Sequence, residues 1–150
     1  MHTIIKGQDI AGFQLTEQIG VGSSGEVWSG TNGQEQVAVK FLNKSLLERK
    51  DHETHRHRFR NEALALKTVS DLDHVPTHYH HDLEVERPYI IMKYIGENAV
   101  SELIEKSEIL YVPLPSRLYA ITQLANTIQA IHHRGIIHRD IKPQNIHGID

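Results

Sequence analysis

The sequence predicts an α+β fold in which an antiparallel sheet is followed mainly by helices. Two observations support this class. Between residues 13 and 41, apolar and polar residues alternate around a cluster of glycines, as they do in short strands joined by tight turns. Beyond residue 50 the apolar residues recur every three or four positions, which is the period of an amphipathic helix. A length of 150 residues suits a single core.

Three strands are predicted before residue 42. The first begins at Phe13, the second covers Glu26–Gly30 and the third covers Gln36–Phe41. The pair Asn32-Gly33 stands between the last two strands and is typical of a two-residue hairpin turn. We therefore expect these strands to form the antiparallel sheet.

A helix is predicted between Asp51 and Ser70, and either Asp51 or Thr54 could cap its start. A further buried strand is predicted at Tyr89–Met92, a short apolar run after Pro88. The apolar residues that recur at helical spacing in the first of these segments are Phe59, Ala63, Leu66 and Val69.

A long helix is predicted after Pro113 and Pro115. Ser116 suits its N-cap, and Gly135 suits the position just beyond its end. One face is broadly apolar, and we expect the rest of the chain to cover it only in part. That face consists of Leu118, Ile121, Leu124, Ala125, Ile128 and Ile131.

Composition argues against several classes of protein. The net charge of −3 argues against nonspecific binding to nucleic acid. The absence of cysteine excludes a disulfide framework and a thiolate metal site. The first residues hold no apolar stretch of signal-peptide length, and no run approaches the roughly 20 apolar residues of a transmembrane helix. We therefore expect a soluble, cytoplasmic chain with no membrane segment in these residues.

Gly20, Gly22 and Gly25 form the pattern G-x-G-x-x-G-x-V, which ends at Val27. Backbone N–H groups can approach phosphate oxygens closely where no Cβ intervenes. Dinucleotide-binding folds use a similar spacing, but there the glycines open a helix, whereas here a predicted strand follows. A glycine-rich hairpin without a ligand is the alternative.

Lys40 ends an otherwise apolar strand, and Glu62 lies on the helix predicted after it. A lysine in such a strand needs an anionic partner or a path to solvent. An ion pair between Lys40 and Glu62 would hold the ammonium group towards bound phosphates. Two unrelated, solvated charges are the alternative.

The segment Ile137–Ile146 holds the most specific pattern in the chain. Asp140 could accept the proton of an attacking hydroxyl, and Lys142 could neutralise charge on a phosphoryl group during transfer. The amide oxygen of Asn145 is a hard ligand suited to Mg²⁺. Phosphoryl transfer depends mainly on positioning and charge stabilisation, which these residue types can supply.

Taken in order, these motifs resemble those of eukaryotic-type serine/threonine protein kinases, from about Phe13 to Ile146. The resemblance implies a protein-kinase-like fold, of which this chain is the N-terminal half of the catalytic domain. A sheet lobe with its αC helix would occupy about 10–92, a hinge 93–96, and the start of a helical lobe 97–150. The residues that carry the resemblance are Gly20, Gly22, Gly25, Val27, Ala38, Lys40, Glu62, His138, Arg139, Asp140, Lys142 and Asn145.

The resemblance implies a site for ATP and Mg²⁺. The adenine ring would lie between Val27 and Ala38, and the hinge backbone from Met92, the gatekeeper, would hydrogen-bond to it. The implied nucleotide-binding residues are Ile19, Gly20, Val21, Gly22, Ser23, Ser24, Gly25, Glu26, Val27, Ala38, Lys40, Met92, Lys93, Tyr94 and Ile95. The implied catalytic residues are Asp140, Lys142, Lys40 and Glu62, with Asn145 on the metal.

The resemblance also bears on the substrate. Lys142 with Pro143 resembles the serine/threonine branch, so the γ-phosphate of ATP would pass to a Ser or Thr hydroxyl of a protein. Arg139 beside Asp140 resembles kinases whose activation loop is organised by phosphorylation. Small-molecule phosphotransferases of related fold generally lack this pattern, which disfavours them.

The family's magnesium-binding Asp-Phe-Gly motif is absent from these residues. Asp150 follows Asn145 too closely to replace it, because two short strands and a turn need about eight residues. We therefore expect the segment alone to be inactive or severely impaired. The alternative function is a truncated, noncatalytic nucleotide-binding or protein-interaction module, which would self-associate or bind a partner through its exposed helical face.

Twelve histidines are present, and three of them, His52, His55 and His57, are close enough in sequence to suggest a metal site. No cysteine and no carboxylate-bearing metal motif surrounds them. We therefore interpret them as exposed histidines near the start of a helix. We interpret His138 as a packing residue rather than an acid–base group.

Overall fold

The structure, a computed structural model, describes residues 3–96 and 99–148. The chain divides into two compact units. The first unit runs to Ser70 and includes Pro76–Tyr94; it contains a six-stranded sheet. The second unit comprises Asp71–Val75 and the residues from Ile95 onwards, and its regular elements are helical. The predicted α+β class is confirmed.

All neighbouring strands of the sheet are antiparallel, in the order β1-β2-β3-β4-β6-β5. The three strands predicted before residue 42 and the strand predicted at Tyr89–Met92 are confirmed. The two unpredicted strands lie at the sheet edges and are too short or too polar to show an apolar pattern. The strands are β1 Asp9–Ile10, β2 Phe13–Val21, β3 Gly25–Thr31, β4 Gln36–Leu42, β5 His78–Asp82 and β6 Tyr89–Lys93.

The predicted two-residue turn at Asn32-Gly33 is wrong. Thr31 pairs with Gln36, so four residues connect β3 to β4. The side-chain oxygen of Asn32 accepts the N–H groups of residues 34 and 35 at 2.9 and 2.8 Å, which closes the longer loop. Gly33 has a φ of 87°, so it still provides the left-handed residue that the sequence suggested.

Each face of the sheet carries its own apolar cluster. On one face, Ile4 and Ile10 from the N-terminal segment cover the centres of β2, β4 and β6. On the other face, Phe59 and Ala63 of the helix after β4 pack against Leu42 and Ile90. Because side chains alternate along a strand, the second face also carries Ala38 and Lys40 of β4.

Four α-helices are described, with short 3₁₀ turns at Glu108–Leu110 and Pro143–Asn145. The helix predicted between residues 51 and 70 is confirmed, and Asp51 occupies its N-cap position. The Asp51 side chain makes no capping bond; it lies 2.9 Å from Arg49 and 3.3 Å from His55 instead. The helices are α1 Lys44–Leu47, α2 His52–Val69, α3 Val100–Glu105 and α4 Leu114–His133.

The long predicted helix is confirmed, but its predicted N-cap, Ser116, is wrong. The helix α4 begins at Leu114, with Pro113 at the N-cap position and Pro115 inside the first turn. A proline is tolerated there because the first turn's N–H groups have no partner within the helix. The stop at Gly135 is confirmed, with a φ of 74° and its N–H donated to His132 O at 2.9 Å.

The apolar face of α4 is covered only in part, as predicted. Ile131 is 7% exposed, whereas Leu118 and Ile121 are 54% and 63% exposed. Within the described residues, no helix combines the length and the apolar content needed to cross a bilayer.

Replacing Gly25 with alanine is expected to lower the free energy of unfolding by about 1–3 kcal/mol. A Cβ at this position would overlap the carbonyl oxygen of Phe41, which belongs to the neighbouring strand β4. The matched control is Gly22→Ala, since the nearest heavy atom to a Cβ there is 3.8 Å away. Its expected change is within about 0.5 kcal/mol. Equal stability of the two variants in urea unfolding would contradict this account of Gly25.

Candidate functional site

The three glycines of the motif lie on a hairpin between two strands. We use the term glycine hairpin for Ile19–Val27, the end of β2, the loop and the start of β3. The hairpin is closed by a hydrogen bond of 2.8 Å from the N–H of Gly22 to the carbonyl oxygen of Gly25. The N–H of Asn43 donates to Ser24 O at 3.2 Å and ties the loop to the end of β4. A strand therefore follows the glycines, unlike the helix of dinucleotide-binding folds.

Packing explains only one of these glycines. A Cβ on Gly20 or Gly22 would have its nearest heavy atom at 3.9 or 3.8 Å, which is ordinary contact. Val21, Ser23 and Ser24 are exposed. Contacts within the chain give no reason to exclude a side chain at 20 and 22, so close approach of an external group is a physical reason for both glycines.

Lys40 and Glu62 form an ion pair between β4 and α2. The lysine side chain is 19% exposed and the glutamate side chain 44% exposed. Lys40 also lies beside the glycine hairpin, because a Cβ built on Gly25 would be 3.6 Å from its Cε atom. The pairing expected from the sequence is thus observed, and it gives a half-buried ammonium group its counterion.

Three more predicted residues line the same face of the sheet as Lys40. Val27 is its partner across β3, and Ala38 precedes it by two positions on β4. Met92 is paired with Ala38 across β6. Residues paired in an antiparallel register project to the same side of a sheet. Ile19 lies within the register irregularity between Gln18 and Gly20.

The predicted hinge residues continue from the end of β6. The N–H of Lys93 donates to Thr77 O at 2.8 Å, and the N–H of Tyr94 donates to Gln36 O at 3.4 Å. These two amide groups are therefore used by the protein's own backbone. Ile95 follows them and is 47% exposed.

In the second unit, Asp140, Lys142 and Asn145 form one hydrogen-bonded cluster. Lys142 Nζ lies 3.0 Å from Asp140 Oδ2. Asn145 Nδ2 donates to the same carboxylate oxygen at 2.9 Å and to the backbone oxygen of Asp140 at 2.8 Å. Because Asn145 donates through Nδ2, Oδ1 is the atom that remains to ligate a cation.

The loop that carries this cluster has two structural constraints. Arg139 has a φ of 63°, a left-handed conformation that is uncommon for a residue with a side chain. Ile146 O accepts the N–H of Val100 at 2.8 Å, which ties the end of the loop to the start of α3. His138 Nδ1 lies 3.3 Å from the N–H of Asp140, so this ring contacts the loop backbone.

The cluster also sets the protonation of its carboxylate. The hydrogen bond from Lys142, followed by that from Asn145, holds the pKa of Asp140 below its ordinary value. Asp140 is therefore ionised at neutral pH. As the pH falls through this lowered pKa, the carboxylate is protonated and its bonds to Lys142 and Asn145 weaken.

Replacing Lys142 with methionine is expected to raise the pKa of Asp140, because the strongest stabilising partner of its charged form is removed. A ¹³C NMR titration of the carboxyl carbon measures this pKa directly. The control is Lys106→Met, which removes a lysine paired with Glu102 on α3 at 3.7 Å and leaves the cluster intact. An unchanged Asp140 pKa in the Lys142 variant would contradict the pairing.

Of the histidines near the start of α2, His57 is exposed as predicted, but the prediction is wrong for His55, whose side chain is only 16% exposed. His55 lies 3.3 Å from Asp51, and His52 lies 3.1 Å from Glu53. In residues 3–96 and 99–148, no group of three or more His, Cys, Asp or Glu side chains could hold a metal ion. Asp150, which the sequence spacing argues against as a metal ligand, lies outside the described residues.

Sequence reasoning missed one interaction at the glycine hairpin. Glu26 lies 2.7 Å from Arg87, which precedes β6. The only sequence signal for Arg87 was its place before Pro88 and a predicted strand, and that position carries no information about a partner.

The comparisons with known proteins all indicate one family. The family profile described as "Protein kinase domain" matches residues 13–147. The serine/threonine-protein kinase drp72 of Corynebacterium efficiens is 32% identical over 149 residues, which cover 93% of this chain and 27% of that protein. The serine/threonine-protein kinase PknK of Mycobacterium tuberculosis is 35% identical over 141 residues, with coverages of 91% and 12%.

A solved structure agrees with these relatives. The kinase domain of M. tuberculosis PknI has a TM-score of 0.71 and 22% identity, covering 95% of this chain and 57% of that domain. At this identity the likeness establishes the fold, which is the one that the sequence motifs implied. The chain thus spans about a quarter or less of the two curated relatives and a little over half of the solved domain.

Proposed function

The chain belongs to the serine/threonine protein kinase family, and we propose on that premise that it binds ATP with Mg²⁺ and carries the phosphoryl-transfer loop of a protein kinase. The observation that carries the proposal is the ion pair of Lys40 with Glu62 beside the glycine hairpin. It places a cation with little exposure beside a loop in which the positions of the missing side chains of Gly20 and Gly22 are open. Such an arrangement suits the phosphates of a nucleotide.

In this proposal the first unit binds the nucleotide. Backbone N–H groups of the glycine hairpin contact phosphate oxygens, Lys40 supplies the cation and Glu62 orients Lys40. Adenine lies against Val27 and Ala38. Because the N–H groups of Lys93 and Tyr94 are used by Thr77 and Gln36, adenine would bond to the backbone carbonyls of the hinge.

The second unit supplies the transfer chemistry. The Asp140 carboxylate accepts the proton of a Ser or Thr hydroxyl as that oxygen bonds to the γ-phosphorus, and ADP leaves. The hydrogen-bond partners of Asp140 keep it ionised and orient it for this role. Lys142 offsets negative charge on the phosphoryl group. Asn145 Oδ1 is a hard oxygen donor that would hold Mg²⁺, and the ion would neutralise charge on the phosphates when bound.

A loop substitution tests nucleotide binding. Gly22→Val is expected to weaken binding of ATP·Mg²⁺ by about tenfold or more, because a branched side chain blocks approach of phosphate to the loop amides. Adenosine affinity and thermal stability should change little, since nothing in the chain lies within 3.8 Å of a Cβ at this position. Isothermal titration calorimetry measures both ligands. Equal ATP affinity in the variant would favour the glycine hairpin without a ligand.

One observation favours the second candidate, a noncatalytic nucleotide-binding or protein-interaction module. Leu118 and Ile121 on α4 are more than half exposed, together with Tyr119 at 66%. An apolar face of this kind suits self-association or a partner protein. The two candidates differ in one outcome, because only a kinase transfers phosphate to protein hydroxyls.

A further inference from the structure

An ion pair at the base of the glycine hairpin is largely shielded from solvent on both sides. Arg87 Nη2 lies 2.7 Å from Glu26 Oε1, and the two side chains are only 11% and 20% exposed. The second oxygen of the Glu26 carboxylate accepts a hydrogen bond of 2.9 Å from Gln18 Nε2. Glu26 directly follows Gly25 at the start of β3, and Gln18 lies on β2, one residue before the glycine hairpin. The carboxylate therefore links β2 and β3, the two strands that form the glycine hairpin, to one arginine.

Arg87 is itself fixed to the sheet. Its Nε donates to Leu42 O at 3.2 Å, at the end of β4. Its guanidinium carbon lies 5.5 Å from the centre of the Phe41 ring. Pro88, the next residue, is fully buried and accepts the N–H of Leu42 at 3.0 Å. Contacts with the backbone and with the Phe41 ring thus hold this guanidinium in place. A solvent-exposed arginine would lack such contacts.

We propose that Arg87 is a positioning residue that sets the position of the glycine hairpin relative to the sheet through the Glu26 carboxylate. The inference rests on the proposed function, in which the hairpin amides bind the phosphates of ATP. Arg87 and Glu26 lie on the face of the sheet opposite to Lys40, so neither needs to touch the nucleotide. Their effect on phosphate binding passes through the backbone of the hairpin.

The physical reason is the cost of leaving a partly buried charge without its counterion. Without Arg87 the Glu26 carboxylate keeps only Gln18 and must turn towards water to be solvated. Glu26 lies at the start of β3, so this turn displaces the loop amides. The ladder between β3 and β4 and the bond from Asn43 to Ser24 remain, so the sheet itself should still form.

Arg87→Met tests the proposal, because methionine keeps the apolar contact with Phe41 and removes the charge and the donors. ATP affinity is expected to fall about five- to tenfold while adenosine affinity stays within about twofold. Arg87→Lys keeps the charge but not the fork of donors, so its ATP affinity should lie between those of the wild type and Arg87→Met. The matched control is Arg60→Met, because Arg60 pairs with Glu84, whose side chain is 80% exposed. That variant should bind ATP like the wild type.

A double-mutant cycle tests whether the loss of ATP affinity arises from the ion pair between Arg87 and Glu26. Glu26→Gln combined with Arg87→Met should weaken ATP binding no more than the weaker-binding single variant does. If the losses of ATP affinity in the two single variants multiply in the double variant, the residues act independently and the proposal is overturned. An equal loss of ATP and adenosine affinity in Arg87→Met, which indicates a general structural defect, would also overturn it. Should Arg87→Met fail to fold, Arg87→Lys and Glu26→Gln carry the same comparison.

Amide hydrogen exchange without nucleotide separates this proposal from the proposed function. The N–H of Gly22 and the N–H of Asn43 are expected to exchange faster in Arg87→Met, with β6 amides unchanged. Unchanged exchange at both would overturn the positioning role. If the wild type binds no ATP but these amides still exchange faster in Arg87→Met, the proposed function is refuted and the positioning of the hairpin by Arg87 is supported.

Discussion

Lys40→Met is expected to lower phosphoryl transfer by about 10²-fold or more in the intact protein. The lysine is the half-buried cation beside the glycine hairpin, and its partner Glu62 cannot replace it. Methionine keeps the length and apolar stem of the side chain. Glu62 is 44% exposed and can be solvated once unpaired, so the fold should persist. The rate of ³²P transfer from labelled ATP measures the loss.

The matched control for this variant is Lys44→Met. Lys44 is close in sequence and pairs with Glu48 at 3.9 Å, but both side chains are largely exposed. An exposed pair of this kind contributes little, so its removal should leave the rate unchanged. Full activity of the Lys40 variant would refute the role assigned to this lysine, and an equal loss in both variants would indicate a nonspecific effect.

Asp140→Asn is expected to lower the rate of transfer by about 10²- to 10⁴-fold without a large change in ATP affinity. Asparagine has nearly the same shape but cannot take up the proton of the substrate hydroxyl. It also loses the negative charge that holds Lys142 at 3.0 Å. Single-turnover rates and nucleotide titrations separate the two effects, because the chemistry and the binding of ATP are assigned to different units.

Asp71→Asn is the matched control for Asp140. Asp71 also has a lowered pKa, caused by its hydrogen bond from Arg134. The guanidinium reaches both carboxylate oxygens, at 3.1 and 2.8 Å. Like Asp140, this aspartate is hydrogen-bonded to a cationic side chain that lowers its pKa, but it lies outside the catalytic-loop motif. The expected rate is that of the wild type, and a comparable loss at Asp71 would argue that the Asp140 effect is structural.

The sequence predicted those parts of the fold and site that follow local rules. Alternating apolar residues marked β2, β3 and β4, and the helical period marked α2 and α4. Lys40 and Glu62 could be paired in advance because each stands in a recognisable motif, and the ion pair is observed. Asp140, Lys142 and Asn145 lie within six residues of one another, so their clustering needed only a compact loop.

Other features depend on the tertiary structure and had no local signal. Strand β5 is a polar edge strand, so burial left no alternating pattern in it. The first turn of α4 admits Pro115 because its N–H groups need no helical partner, so the helix begins upstream of Ser116. Arg87 meets Glu26 only because the chain order of the strands differs from their order in the sheet.

Phosphoryl transfer to protein hydroxyls is the measurement that decides most directly whether these residues belong to a working kinase. The intact protein, at the length at which its source makes it, would be incubated with γ-labelled ATP, Mg²⁺ and a protein acceptor, and the phosphorylated amino acids identified after hydrolysis. A serine/threonine kinase gives phosphoserine or phosphothreonine, and the label disappears in Asp140→Asn. ATP binding that depends on Lys40, without any transfer under these conditions, would contradict the kinase proposal and support the noncatalytic nucleotide-binding module.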